Sequence, residues 1–276
     1  MAAELDAALA AIDGWPVPHA AVVVVGPEGV VGRRGAVDRR QRVASVTKVV
    51  TALATWVAVE EEAVRLDEPA GPPGATVAHL LAHASGLAFD RPVSLAPVGA
   101  RRIYSNVGFD RLGEVVAERS GLPFARYLHE AVLAPLAMAD SALEGSPAKD
   151  LWSTAADLAR LAAELLRPTL VHPATLERGR SVAFPGLAGV LPGIGAFDPL
   201  DWGLGVEVKG TKHPHWSGTR TSPATFGHFG GAGTFLWIDP ERDLAALGLS
   251  GREFGPWAMS AWPALSDAVI GAVGPR

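Results

Sequence analysis

The chain has no cysteine among its 276 residues, which excludes disulfides and thiolate metal sites. Its net charge is -5, and it contains no block of like charge. Basic stripes that bind nucleic acid and polybasic patches that bind membranes are therefore absent. No apolar run approaches the roughly 20 residues of a membrane span, since the run from Ala20 to Val25 is only strand-sized. We expect a small-molecule partner, with no nucleic acid and no membrane.

We expect no targeting signal at the N-terminus of this sequence. It begins Met1-Ala2-Ala3-Glu4 and has neither a basic region nor an unbroken apolar stretch, so it does not match a signal peptide. We expect a cytoplasmic protein. Because 49% of the residues are hydrophobic, the chain can bury a large core in one compact domain.

Strand patterns lie at both ends of the chain and helix patterns occupy its middle. Strands are predicted at Ala20–Val25, Gly29–Gly35, Trp202–Lys209, Phe235–Ile238 and Leu244–Ser250. Helices are predicted from Ser45 to about Glu62 and at Val77–His83, Gly108–Ser120, Phe124–Leu133 and Ser153–Leu166. This order predicts a single α+β domain over residues 1–276. It contains an antiparallel sheet built from both ends of the chain, helices on the faces of the sheet, and a mostly helical insertion at about 67–200.

Ser45 and Lys48 lie three residues apart at the start of an apolar helical pattern, so they share one face of the helix. A lysine that is partly desolvated can be neutral and can accept a proton from serine. Serine is also a favoured helix N-cap. Ser45 is therefore either a nucleophile or a cap, and partners elsewhere must decide between the two.

Tyr104-Ser105-Asn106 lies in an irregular stretch before a helix. A phenol can donate and accept a proton, and it becomes a base when nearby cations such as Lys48 lower its pKa. The Asn106 amide can orient a substrate or Lys48. The alternative is a turn followed by a helix cap, with Tyr104 as a buried ring.

His228-Phe229-Gly230-Gly231 opens a strand that is predicted to continue to Ile238. Small residues let a ligand approach the backbone, and an edge strand offers free N–H groups. One N–H at Ser45 and one after Gly230 can form an oxyanion hole. The alternative is a glycine-rich bend with His228 on the surface.

The remaining histidines offer a metal hypothesis. His79 and His83 have the i, i+4 spacing of metal ligands, but no acidic residue between them completes an HExxH pattern. A metal-dependent hydrolase is therefore the least favoured interpretation, and we expect no metal and no cofactor. His213 and His215 lie in a proline-containing loop, where we expect them to be solvated or at a pocket rim.

The Ser-x-x-Lys, Tyr-Ser-Asn and His-Phe-Gly elements occur in the order of the Ser-x-x-Lys, Ser-Asp-Asn and Lys-Thr-Gly elements of serine β-lactamases and penicillin-binding proteins. The chain thus resembles the class C β-lactamase and D-alanyl-D-alanine carboxypeptidase family, which also contains esterases and D-amino-acid peptidases. The block from Leu80 to Leu87 and the strand from Trp202 to Val206 are similar to family blocks.

The resemblance implies a β-lactamase/transpeptidase-like fold and acyl transfer to Ser45, followed by hydrolysis. Lys48 would take or relay the Ser45 proton. Tyr104 would be the general base of acylation and would later activate water. Asn106 would hold the substrate and Lys48.

The third element implies the rest of the site. His228 would line the cleft and support the proton network, on the strand that carries Gly230. The N–H groups of Ser45 and Gly231 would form the oxyanion hole.

Two departures from the family pattern bear on the substrate. His228 replaces a lysine, and it can be neutral at pH 7. Phe229 replaces a threonine whose hydroxyl can bind a substrate carboxylate. We therefore expect hydrolysis of an ester, amide or D-amino-acid peptide bond rather than efficient lactam hydrolysis. The alternative is a catalytically silent protein that binds peptides or cell-wall fragments.

Overall fold

A six-stranded antiparallel sheet forms the centre of the molecule. The computed structural model describes residues 2–274. The strands are β1 (Ala20–Gly26), β2 (Gly29–Gly35), β3 (Gln41–Arg42), β4 (Arg102–Ile103), β5 (Ala142–Leu143), β6 (Leu151–Ser153), β7 (Gly189–Leu191), β8 (Gly195–Phe197), β9 (Glu207–Val208), β10 (Phe226–Gly230), β11 (Thr234–Asp239) and β12 (Leu244–Ser250). The central sheet has the order β2-β1-β12-β11-β10-β9, so both ends of the chain contribute to it.

Helices cover both faces of this sheet. They are α1 (Ala2–Leu9), α2 (Thr47–Glu60), α3 (Val77–Leu81), α4 (Asn106–Ser120), α5 (Phe124–Leu128), α6 (Ala155–Leu166), α7 (Pro173–Arg180) and α8 (Pro256–Val273). Two small sheets, β3-β6-β5 and β4-β7-β8, lie between β2 and β9 in the chain. The predicted α+β class is confirmed, whereas the helical insertion at about 67–200 stays a prediction.

Strand β1 shows how the sheet is buried. Val23 belongs to the core on the side of α2, α4 and α6, and Val22 belongs to the core on the side of α1 and α8. Both valines are buried because helices cover both faces, which explains an unbroken apolar run instead of polar alternation. Each such side chain contributes roughly 1.5–3 kcal/mol to the free energy of unfolding.

Ser45 is not the helix cap that the sequence also allowed. It lies in a 3-10 turn, Ala44–Val46, and α2 begins at Thr47 with no side-chain capping bond from Val46. Ala44 has a left-handed φ of 48°, so the chain bends sharply just before Ser45. Ser45 thus lies in a sharp turn of the backbone just before the helix and does not cap it.

The segment from His228 to Ile238 is a hairpin and not the single strand that we predicted. β10 ends at Gly230, and β11 begins at Thr234. Gly233 has a φ of 78°, and a Cβ there would lie 1.9 Å from the Arg252 carbonyl oxygen, so the turn needs glycine.

The ends of several predicted strands and helices also differ from those observed. The expected strand at Trp202–Lys209 is reduced to β9 and an isolated bridge at Trp202, and α4 begins two residues early, at Asn106. Among residues 2–274, no helix is both long and apolar enough to cross a membrane.

Candidate active site

Ser45 is half-buried, in a turn held from both sides by hydrogen bonds of Val43. Val43 N–H donates to the Leu151 carbonyl at 2.9 Å, and Thr234 Oγ1 donates to the Val43 carbonyl at 2.7 Å. A Cβ at Gly230 would lie 2.4 Å from the Val43 carbonyl oxygen and 3.1 Å from the Ser45 nitrogen. Only glycine lets β10 approach this turn so closely, which places the first and third sequence elements side by side.

Lys48 lies one turn after Ser45 and is fully buried. Its Nζ donates to Asn106 Oδ1 at 2.7 Å and to the Ala148 carbonyl at 2.9 Å. Nζ also lies 4.7 Å from the centre of the Tyr104 ring. The first and second sequence elements are therefore in contact through Lys48.

Burial lowers the pKa of Lys48 well below its usual 10.5. Asp110 opposes this by attraction, and Lys149 adds to it by repulsion. Within residues 2–274 no carboxylate forms an ion pair with Lys48. Its two hydrogen-bond partners are neutral acceptors, and a neutral amine has two N–H donors and one lone pair. The site thus suits an unprotonated amine that can accept a proton.

Tyr104 links Ser45 to His228. Its hydroxyl lies 3.2 Å from His228 Nε2, while His228 Nδ1–H donates to the Phe229 carbonyl, so the phenol donates and Nε2 accepts. Burial raises the pKa of Tyr104, and a hydrogen bond from Ser45 partly opposes that rise. The expectation that nearby cations lower the Tyr104 pKa is wrong, because the ring is buried and Lys48 itself favours the neutral state.

His228 is buried and uncharged, in contrast to the surface histidine considered as an alternative. Burial, with repulsion from Lys48, lowers its pKa to about 3. The neighbouring Phe229 side chain points to the other face of the strand, where its ring packs against Phe254 and Trp216. Neither a cation nor a hydroxyl group is present where the family pattern has lysine and threonine.

The outer edge of β10 is open beside Ser45. β9 pairs only with Phe226 and Gly227, which leaves the segment from His228 to Gly230 without a partner strand on that side. Gly233 N–H closes the hairpin turn on the Gly230 carbonyl, and Gly231 is exposed. The Gly231 amide is therefore not needed to close the turn, which is compatible with an oxyanion hole formed with the Ser45 amide.

The Tyr104-Ser105-Asn106 element contains both a helix cap and residues of the candidate site. Ser105 Oγ caps α4 by accepting from Gly108 N–H at 3.0 Å, while Asn106 is buried and holds Lys48. The turn-plus-cap interpretation thus applies to Ser105 and leaves Tyr104 and Asn106 at the site.

The metal hypothesis receives no support from the histidines. His83 Nδ1 accepts from Ser105 N–H at 3.1 Å, and its ring packs against Tyr104. His79 instead bonds to Thr76 and stacks on Phe184. In the part of the chain that the structure describes, no three His, Cys, Asp or Glu residues are placed to hold a metal ion.

A buried ionic cluster lies beside β10, and no sequence pattern indicated it. Glu207 accepts from Trp216 Nε1 at 2.7 Å, contacts His215 Nε2 at 3.1 Å, and lies 3.5 Å from Lys212 Nζ. Burial would raise the Glu207 pKa, but Lys212 and His215 outweigh it and lower that pKa to about 2. The expectation that His215 is solvated or at a pocket rim is wrong, because Glu207 and Ser217 hold its ring inside the fold.

The Beta-lactamase family model matches residues 11–269. A β-lactamase from Mycobacterium bovis is 52% identical, superposes with a TM-score of 0.95, and the match covers 96% of this chain and 99% of that one. A D-stereospecific amidohydrolase from Streptomyces sp. shares the fold at 18% identity and a TM-score of 0.76, over 98% of this chain and 99% of that one.

Among curated proteins, the chain is similar to the D-alanyl-D-alanine-carboxypeptidase/endopeptidase AmpH of Escherichia coli (strain K12). The two are 28% identical over 41% of this chain, and the match spans only 39% of the length of AmpH. The family match over residues 11–269, together with the full-length fold similarity, shows that the chain belongs to the β-lactamase family and has the β-lactamase/transpeptidase-like fold.

Proposed function

We propose that the protein is a serine hydrolase that forms an acyl-enzyme on Ser45. It hydrolyses an ester, amide or D-amino-acid peptide bond, with weak or no lactam hydrolysis. The observation that carries this proposal is the buried Lys48 amine, which has two neutral acceptors and lies one helical turn from a half-buried serine. A silent binding protein would gain nothing from a desolvated amine placed there.

Each proton in the proposed reaction has a carrier. Ser45 Oγ attacks the substrate carbonyl, and its proton passes to the Lys48 amine. Tyr104, which burial keeps protonated, donates its proton to the leaving group and recovers one from Lys48. Water then attacks the acyl-enzyme with the same groups in reverse order. The amides of Ser45 and Gly231 stabilise the oxyanion in both steps.

The substrate preference follows from the third element. His228 is neutral at pH 7, and the Phe229 ring faces away from Ser45, so this strand offers little attraction to a substrate carboxylate. The relatives named above include a carboxypeptidase, an amidohydrolase and a β-lactamase, which supports acyl transfer as the shared chemistry.

Intact-mass labelling with a serine-reactive phosphonate tests the nucleophile. We expect one adduct on the wild type and on Ser94→Ala, a control at an exposed serine, and no adduct on Ser45→Ala. Equal labelling of Ser45→Ala would contradict the proposal. Absence of labelling in all three proteins, with binding of a D-Ala-D-Ala peptide, would favour the silent binding protein.

A substrate panel tests the bond that is hydrolysed. It consists of p-nitrophenyl esters, D-Ala-D-Ala peptides and a chromogenic cephalosporin. We expect Ser45-dependent turnover of esters or peptides to exceed that of the cephalosporin. Faster turnover of the cephalosporin than of short esters would refute the interpretation of His228 and Phe229.

A further inference from the structure

We propose that an apolar groove running outward from Tyr104 binds an alkyl acyl chain of the substrate. Its lining includes Phe89, Leu95, Ile103, Val190, Pro192 and Tyr104, and its volume is about 490 Å³. That volume lies within the ~300–1,000 Å³ of typical small-molecule pockets. This inference rests on the proposed function and names the substrate class for the same site.

Exposed apolar side chains are concentrated around this groove. Phe89, Val93, Leu95 and Val190 are 47%, 45%, 61% and 50% exposed. The other large apolar side chains that are exposed within residues 2–274 are Val30 and Val31, which belong to β2 at one edge of the central sheet. Contiguous exposed apolar surface is costly in water and usually marks a binding site.

The groove leads to the candidate nucleophile. One wall is the loop at 87–95, which an isolated bridge between Leu87 and Ser94 holds in place. The other wall is strand β7, where Val190 lies opposite Ile103 of β4. At the inner end, the Phe89 ring stacks on the Tyr104 ring at 5.9 Å, and the Tyr104 ring lies 4.7 Å from Nζ of Lys48, which is one helical turn from Ser45. A chain lying in the groove would therefore have its carbonyl end near Ser45.

Charge in the groove favours an uncharged chain. No carboxylate is present among the described residues that line it, so a cationic side chain has no partner there. The buried Arg102 guanidinium donates to the carbonyls of Ala82, Leu200 and Ala183. These bonds hold its N–H groups within the fold, and among the described lining residues it is Arg101, at the exposed rim, that presents a charge to solvent.

Chain-length kinetics test the groove. We expect kcat/KM for p-nitrophenyl esters to rise from acetate through butanoate to octanoate, by about two- to fourfold per methylene while the chain is being buried. Leu95→Asp and Val190→Asp should lower the ratio of the octanoate value to the acetate value by about tenfold or more. Val30→Asp, which places the same charge at an equally exposed valine on β2, should leave the whole profile unchanged.

A binding measurement separates the groove from the chemistry. In the Ser45→Ala protein, saturation-transfer NMR should show methyl octanoate binding more strongly than methyl butanoate, and Leu95→Asp should abolish the difference. A Ser45-dependent activity with a flat chain-length profile would overturn the groove and leave the proposed function intact. Hydrolysis that survives Ser45→Ala would overturn the proposed function, whereas equal binding of the two esters by Ser45→Ala would overturn the groove alone.

Discussion

Of the buried lysines in this molecule, Lys48 and Lys212 lie in opposite electrostatic settings. Lys48 has only the neutral oxygens of Asn106 and Ala148 as hydrogen-bond partners. Lys212 donates to the carbonyls of Asp201 and Val208, and it also lies 3.5 Å from the Glu207 carboxylate. Both side chains are almost completely removed from solvent.

The difference shows that burial alone does not determine the charge of a lysine. Burial lowers the pKa of both, but the attraction of Glu207 counteracts it at Lys212, and the carboxylate in turn has its pKa lowered to about 2. Lys212 is therefore one half of a charge pair, while Lys48 forms no ion pair within residues 2–274 and favours the neutral amine. One lysine stabilises the edge of the sheet, and the other is suited to proton transfer.

Replacing Lys48 should have the largest effect. Lys48→Arg and Lys48→Met should each lower Ser45-dependent kcat/KM by about 10³–10⁴-fold, because neither side chain can accept a proton at neutral pH. Steady-state kinetics on ester substrates measure the loss. Near-wild-type activity of Lys48→Arg would show that a neutral amine is not required.

Replacing Lys212 should affect stability instead of chemistry. Lys212→Met leaves the buried Glu207 without its strongest cationic partner, which should lower the free energy of unfolding by about 3–5 kcal/mol. Urea unfolding measures the loss, and kcat of the folded protein should change by less than about threefold.

The double variant Lys212→Met with Glu207→Gln sharpens that result. Removing both charges should recover much of the lost stability, because an apolar or neutral pair avoids the desolvation of an unpaired ion. A double variant that is as unstable as the sum of the single variants would mean that the two charges are not coupled.

Acid unfolding should report the Glu207 charge. A carboxyl group whose pKa is lowered stabilises the fold above its ordinary pKa of 4.5, and the contribution is lost as pH falls towards about 2. The difference between these two values corresponds to about 3 kcal/mol. Between pH 5 and 2, urea unfolding should therefore show a steeper loss of stability in the wild type than in Glu207→Gln. Equal slopes would contradict the lowered pKa.

The sequence was sufficient for the parts of this comparison that depend on local spacing. The one-turn separation of Ser45 and Lys48 identified the amine, and the Tyr104 and His228 elements pointed to the residues that the structure brings together around it. The two-ended sheet also followed from where the apolar runs lie. These features depend on residue types at short range, which the sequence displays directly.

The charge states and pKa values of the buried groups depend on tertiary packing, and the sequence either did not indicate them or predicted them wrongly. The Ala148 carbonyl that holds Lys48 is a backbone group, for which the side-chain pattern gives no signal. Glu207 and His215 meet only because a loop folds back onto β9. The pKa of Tyr104 is raised by burial that no local pattern reveals. Desolvation is a property of the assembled fold, so its sign at each group could not be read from neighbours in the chain.

The smallest expected effect is also the most specific to Lys48. Its amine acts in the neutral form, so the rate should rise with pH along an acid limb whose midpoint lies at the lowered pKa of Lys48. Asp110 favours the protonated amine, so Asp110→Asn should move the limb to lower pH. Lys149 disfavours it, so Lys149→Gln should move the limb in the opposite direction by a similar or smaller amount.

Ionic strength separates these two shifts further. Lys149 is exposed and Asp110 is half-buried, so added salt should screen the effect of Lys149→Gln more than that of Asp110→Asn. The pH dependence of kcat/KM for one ester, measured at low and high salt for both variants, tests this. Shifts in the same direction, or a limb that neither variant moves, would assign the titration to a group other than Lys48. His228 is a poor candidate for that group, because its pKa of about 3 keeps it neutral at pH 5 and above.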